Sequence, residues 1–449
     1  MNTTKNRHLT SWALAAGAAL LVLALAGSAG AQARIDGIVG VTSFAFTAAA
    51  GEVSIPDGGS YQFWGYQDLG NHEGVGLPQY PGPTIILDQG DEVTITLTSK
   101  LPFGKCSSMV FPGHAVTATG GSPGLLTRES CGPAQTVTYS FTAWEPGTYM
   151  YHSGTQPELQ IDMGLVGAII VRPEMGEAYA YDHAGTSFDH EVLFLLTSMD
   201  PRFHQLAEQN RFAEIDYTAR WPVYWFLNGR AMPDDIAGAF VPWLPHQPYN
   251  CIARMTPGQR VLVRIIGADQ DQHPLHLHGN HYSEIARYGS LLTLADGTTL
   301  APRKHFTTLS VPGQTVDAIF TWTGEKMGWD IYGTPADGAP AHDCIDVSPA
   351  DGYGDAGSDY PWEWCADHGK PFPVVLPENQ NLAFGGWWSG SPFMGQGEAL
   401  PPGEGGLNPN NGYFFMWHSH TEKELTNFDI FPGGMMSMMV VEPPGTPIP

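Results

Sequence analysis

Residues 84–97 read TIILDQGDEVTITL, two short runs of Ile, Leu, Val and Thr broken at Gly90-Asp91. β-Branched residues suit a pleated, half-buried surface, and Gly-Asp is a turn signal. The same pattern recurs in QTVTYSF at 135–141 and along most of the chain, and it predicts the strands of a sandwich. It also repeats as a larger unit. Gly90-Asp91 followed by EVTITL is echoed by Pro257-Gly258 followed by QRVLVRI, and Gln135-Thr136-Val137 by Gln314-Thr315-Val316. The first copy closes at Tyr151-His152-Ser153; in the second, a Gly/Pro/Asp-rich stretch precedes FMWHSH at 415–420. We therefore expect a β-domain at 35–175, a linker at 176–187, and a second β-domain at 188–445 carrying an insertion at about 334–411. That insertion is too long for a plain connection, so it reads as a lid or a packed appendage. Only 203–215 (FHQLAEQNRFAEI) looks helical.

Composition agrees with an all-β chain. At roughly 150 residues per domain, 449 residues allow two or three. With 54 Gly, 37 Pro and 42% hydrophobic residues there are too many turn formers for helical bundles and too many apolar residues for disorder. A net charge of −25 argues against nucleic-acid partners, because phosphate recognition starts from a basic face. Residues 1–31 read as a signal peptide: Lys5 and Arg7, an apolar stretch from Trp12 to about Ala26, then Ala29-Gly30-Ala31. That stretch is short for a membrane span and no later segment is long enough, so a secreted or periplasmic protein without a membrane span is expected. Five cysteines fit that compartment. Cys344 and Cys365 bracket an acidic loop, Cys106 and Cys131 flank His114, and Cys251 is left over; spacing leaves the connectivity open.

Two segments carry H-x-H: His276-Leu277-His278 within HPLHLHGNH, and His418-Ser419-His420. Alternate residues of a strand share a face about 6.6–6.8 Å apart, so each pair can aim two imidazoles into one space. Neutral imidazole suits copper, zinc, iron or nickel. A lone pair would more simply be core histidines bonded to backbone groups. Two pairs, in the second half of a repeat whose first half has its own His152, favour a metal.

The runs PGPTIILDQGDEVTITLTSKLP, PGTYMYHS with MGLVGAIIV, NGRAMPD, HPLHLHG, and WHSH with FPGGMM resemble the superfamily of multicopper oxidases and copper nitrite reductases. The resemblance implies two cupredoxin-like Greek-key β-sandwich domains with copper between them. It implies copper ligands at His114, His152, His276, His278, His418 and His420. Val116 and Gly154 stand where two further histidines of the oxidases would be, which leaves six of eight.

The blue-copper positions depart further. That site needs a thiolate, and the oxidases place it between the two histidines of H-C-H; here the residue is Ser419, and Glu424 stands where another histidine is expected. His273 and Met435 match the remaining two ligands. In the first domain the nitrite reductases' Y-H-C is Tyr151-His152-Ser153, Met109 replaces a histidine, Met163 falls near the axial position, and Pro112 replaces an acid. Both comparisons lose the blue copper and keep an interdomain histidine site.

Other groups have simpler readings. Met435, Met436, Met438 and Met439 suit a core strand and its turn better than Cu(I) binding. Asp346, Asp351, Asp355 and Asp359 miss the spacing of a calcium loop. Cys106 and Cys131 could be replacement copper ligands, but cysteines of an exported chain more often form disulfides. Trp387, Trp388 and Trp417 line an approach to the site or simply pack. His281 is an alternative ligand, and His72, His183, His190, His204, His246, His305, His342 and His368 have no motif context.

The expected function is a copper-dependent oxidoreductase using a small oxidant such as O₂ and an unknown electron donor. The alternatives are a copper-binding or sequestering protein without turnover and a structural descendant used for assembly. Two-domain members of the superfamily form trimers, so the resemblance also admits a homotrimer.

Overall fold

The computed structural model describes residues 34–325, 330–360, 362–369, 413–442 and 444–448. The signal-peptide expectation for 1–31, Trp387, Trp388 and most of the proposed insertion lie outside them.

The stretch 84–97 divides at its turn. Ile85–Asp88 joins one sheet and Glu92–Ser99 another. Gly90, at φ 92°, makes the turn that moves the chain between layers, and the Asp91 side chain accepts from the Asp88 amide at 2.9 Å. In Glu92–Ser99 the residues Val93, Ile95 and Leu97 are buried while the threonines between them are half-exposed, so period two sets which face enters the core.

The first sandwich pairs a five-stranded sheet, containing Ser60–Asp68, Ser43–Ser54, Glu92–Ser99, Thr136–Thr142 and Thr117–Gly120, with a four-stranded one ending in Val166–Arg172 and Gly147–His152. Between them lie Trp64, Tyr66, Ile95, Tyr139, Tyr151 and Ile169. The second sandwich repeats the arrangement. Glu92–Ser99 runs parallel to Ser43–Ser54 and antiparallel to Thr136–Thr142; likewise Arg260–Gly267 runs parallel to His190–Met199 and antiparallel to Thr315–Thr321. The echoed turns and runs in the sequence are thus equivalent strands. The other sheet of the second sandwich has the order Ala253–Met255, Met436–Val441, Tyr413–Ser419, His273–Leu277, Thr307–Ser310. Its core holds Phe194, Trp225, Val263, Phe320, Trp417 and Met439.

The two sandwiches meet through apolar faces. Ile86, Met150, Val166, Ala168 and Ile170 of the first pack with Leu193, Leu195 and Ile266 of the second. A buried charge network crosses the same contact: Arg264 reaches Glu191 at 3.0 Å and Thr148 at 2.9 Å, and Arg172 also pairs with Glu191. The Glu191 carboxylate, held between two guanidinium groups, is compensated where water cannot reach it.

The expected helix starts earlier and stops sooner than 203–215. It runs Pro201–Glu208, opened by Asp200, whose carboxylate accepts from the Arg202 amide, and by Pro201 in the first turn. Asn210 at φ 60° ends it, and Phe212–Glu214 is a separate 3₁₀ turn. The cysteines pair as Cys106–Cys131 and Cys344–Cys365, with Cys251 free and buried. No helix among the described residues is long and apolar enough to cross a membrane.

Candidate metal centre

Two neighbouring strands build the site. His273–Leu277 and Tyr413–Ser419 are antiparallel, with His276 directly opposite His418, Leu275 opposite Ser419 and Leu277 opposite Trp417. Residues opposite one another share a face. His276 and His418 therefore project together from the outer surface, while Leu275, Leu277, Trp417 and Ser419 turn into the core. Backbone bonds continue the alignment past the strand ends: the His278 amide donates to Met416 O at 3.0 Å and the His420 amide to Pro274 O at 2.8 Å.

His276, His278 and His418 converge with one nitrogen each, all within 4.8 Å of one another. His278 Nε2 lies 2.8 Å from His418 Nε2. The far side of two rings is committed elsewhere. His418 Nδ1 faces its neighbour Ser419 O at 2.6 Å, and His276 Nδ1 faces Phe306 O at 2.7 Å and Thr307 Oγ1 at 2.9 Å. A carbonyl only accepts, so each Nδ1 carries the proton and each Nε2 presents its lone pair to the common space. Burial pushes the pKa of both His278 and His418 down to about 4, helped in each by the neighbouring imidazoles; His276 is lowered by burial. Neutral imidazoles with converging lone pairs are the donors a borderline metal ion takes. His420 is exposed at the rim, its ring centroid 5.0 Å from that of His276.

His114 and His152 stand in the first sandwich, outside this trio. His114 packs between Phe141 and Tyr149 at ring distances of 4.7 and 4.6 Å; its Nε2 is buried without a hydrogen-bond partner among the described residues, and burial lowers its pKa to about 4. His152 ends the strand Gly147–His152 with Nδ1 3.0 Å from Ser153 O. His281 lies against Phe306, not in the trio.

The blue-copper positions are filled by other bonds. On the inward face, His273 Nδ1 donates to Glu424 Oε2 at 2.8 Å and Nε2 to Asp269 Oδ1 at 3.0 Å; Ser419 Oγ also donates to Glu424. Met435 is buried beside them in the core. In the first sandwich Ser153 Oγ donates to Gln160 Oε1 at 2.7 Å and accepts from the Thr155 amide at 3.1 Å. Sequence alone marks Glu424 and Ser419 as missing ligands; it does not reveal that Glu424 bonds both Ser419 and His273.

Cys106 and Cys131 are disulfide-bonded, and Trp417 is core packing against Phe194 and Tyr282. Met436 and Met438 are buried in a strand. Asp346, Asp351, Asp355 and Asp359 cap amides of their own loop instead of converging. His342 and His368, which had no motif context, meet at Glu363; the bracketing cysteines were the one available sign.

Comparison with known proteins agrees with this architecture. Residues 75–176 match the family model described as multicopper oxidase. An L-ascorbate oxidase of Cucurbita pepo var. melopepo is 31% identical over 163 residues, 35% of this chain and 27% of that protein. The laccase abr2 of Aspergillus fumigatus is 38% identical over 97 residues, 21% of this chain and 16% of that one. The matched stretches thus span about a quarter or less of these relatives. Among solved structures, the multicopper oxidase mgLAC superposes with a TM-score of 0.51 at 17% identity, covering 91% of this chain and 87% of that one, which shows a shared fold.

Proposed function

We propose, from the multicopper oxidase match over residues 75–176 and the fold shared with a multicopper oxidase, that the chain is an exported copper-dependent oxidoreductase whose copper is held by histidines alone. The observation that carries this reading is the trio His276, His278 and His418, with Nδ1 of His276 and His418 bonded to carbonyls and the remaining nitrogens turned to one point. Copper there would supply one-electron exchange with a small oxidant such as O₂.

The chain's own residues do the rest. Phe306 O and Ser419 O fix the ring orientations of His276 and His418, and the strand pairing fixes their separation. No thiolate is present at 153 or 419, and their hydroxyls are engaged in buried hydrogen bonds, which supports the absence of a blue copper. Electrons would then be delivered directly at the rim formed by exposed His420 and Phe306. His114 and His152 lie outside the trio within one chain, which supports a homotrimer in which they face the trio of another copy.

The test is oxygen uptake by copper-loaded protein with a small reductant. His276→Ala and His418→Ala should abolish uptake and lower bound copper, chelation should stop it, and sedimentation should give a trimer. Stoichiometric copper with no uptake would instead support sequestration, a reading favoured by the same separation of His114 and His152 from the trio. Protein that takes up no copper would overturn both.

A further inference from the structure

A second cluster of ligating side chains sits away from the strands that carry the histidine trio, in the irregular chain 330–369. His342 Nε2 lies 3.0 Å from Glu363 Oε1, and His368 Nδ1 lies 2.7 Å from the same oxygen. The three donor atoms are all within 4.8 Å of one another, and the two rings stand 4.9 Å apart, edge to face. We propose that His342, Glu363 and His368 form an independent binding site for a divalent transition ion of the zinc type.

The bonding around the cluster carries this. His342 Nδ1 donates to Pro340 O at 2.9 Å, so in the neutral ring Nε2 is a lone pair facing a carboxylate oxygen. Two electron-rich atoms at that distance need a cation between them, a proton or a metal. Glu363 is fully buried and the His342 side chain is 3% exposed, where an uncompensated carboxylate is costly. Both imidazoles crowd onto Oε1, yet Glu363 Oε2 has no hydrogen-bond partner among the described residues. Asp330 is near enough for its charge to act on His342 and Glu363, and its Oδ2 is likewise buried without a partner. Two buried carboxylates thus stand near two imidazoles, and a bound cation would compensate them without a proton on either ring.

The donor set selects the ion. Two imidazoles disfavour calcium and magnesium, which take oxygen ligands, and the lack of sulfur disfavours Cu(I). Two His and one Glu with an open position suit Zn²⁺, with Cu²⁺ the stronger competitor by the general affinity order. The scaffold is stapled at the ligands: Cys344 is two residues from His342, and its disulfide partner Cys365 lies between Glu363 and His368. A Tyr353–Trp364 bridge and the His342–Tyr360 ring contact at 4.8 Å hold the same segments. Side chains fixed in this way lose little freedom on taking up an ion.

The experiment separates this site from the trio. Full-length His276→Ala/His278→Ala/His418→Ala protein, titrated with Zn²⁺ alone, should bind one equivalent with a rise in Tm. Adding Glu363→Gln should weaken that binding at least tenfold while circular dichroism and the Cys344–Cys365 disulfide stay intact. No zinc binding by the folded triple variant, or equal binding after Glu363→Gln, overturns the proposal. Should the triple variant fail to fold, unaltered chain and Glu363→Gln are compared: the number of tight Zn²⁺ sites should fall by one, and equal numbers overturn it. Repeating the titration with Cu²⁺ should give the same stoichiometry at the same residues; copper bound without regard to Glu363 counts against it.

Discussion

His273 is joined to Glu424, 151 positions away, by a 2.8 Å bond on the inward face of the sheet that carries the histidine trio on its outer face. Asp269 holds the other nitrogen of the same ring. His273 is thus a charged imidazole between two buried carboxylates, with Glu424 at the position where a blue copper would need a second imidazole. Removing one partner of such a pair leaves the other charge buried and uncompensated, at a cost of about 3–5 kcal/mol. Glu424→Gln should therefore destabilise the protein by about 3 kcal/mol in urea unfolding, with little change in copper bound.

The same cluster sets the alkaline limit of stability. Burial alone would depress the His273 pKa, but the charges of Asp269 and Glu424 outweigh it and push it up to about 10. Below an ordinary histidine pKa of about 6.5, both folded and unfolded chains hold the proton and the contribution is complete. Between about 6.5 and 10 only the folded chain keeps it, so stability declines and the contribution is gone above 10. Denaturant midpoints measured across this range should fall, and His273→Gln should flatten that slope.

The acid side is governed by other histidines. His114, His278 and His418 are lowered to about 4, chiefly by burial. As pH falls from about 6.5 toward 4 the unfolded chain takes up protons that these rings refuse, so stability drops. His114→Phe should make the drop shallower in unfolding experiments between those limits. Copper loading should persist through pH 5 and fail near 4, which competition with a chelator would measure.

Ser153 is expected to be structural. Its hydroxyl bonds Gln160 and Thr155 in a fully buried setting, so Ser153→Ala should cost about 1–2 kcal/mol and leave copper content unchanged.

Restoring the lost ligands is the converse experiment. His273 and Met435 remain on the inward face, so Ser419→Cys with Glu424→His should yield an intense blue absorption on copper addition, measured against the unaltered chain. A colourless double variant that still folds would show that Asp269 keeps His273 from the metal.

What the sequence made legible follows its periodicities. Alternation in 92–99 gives the buried face, and H-x-H gives two imidazoles on one face, because both depend only on the two-residue period of a strand. Pairing between distant side chains carries no such mark. His273 with Glu424, and His276 with Phe306 O, follow from which strand lies beside which. His342 and Glu363 meet from irregular chain 21 positions apart, where no period exists to read. The helix Pro201–Glu208 departs from the expected 203–215 for the opposite reason: its start is set locally, by Asp200 and Pro201, and its end by Asn210, so the caps outrank the apolar pattern.

His278 and His418 meet although 140 positions separate them. Whatever the two rings share, a proton or an ion, is a clasp on a loop of that length. The entropy of closing a loop grows only slowly with its size, so the long detour of chain is tolerated while the clasp holds. The clasp adds to ladders already in place: His418 also sits opposite His276 and Met436, so a shared ion would tighten the end of Tyr413–Ser419 and, through it, Met436–Val441. Loading the site should therefore slow amide exchange in those two strands, a readout of occupancy that needs no spectrum.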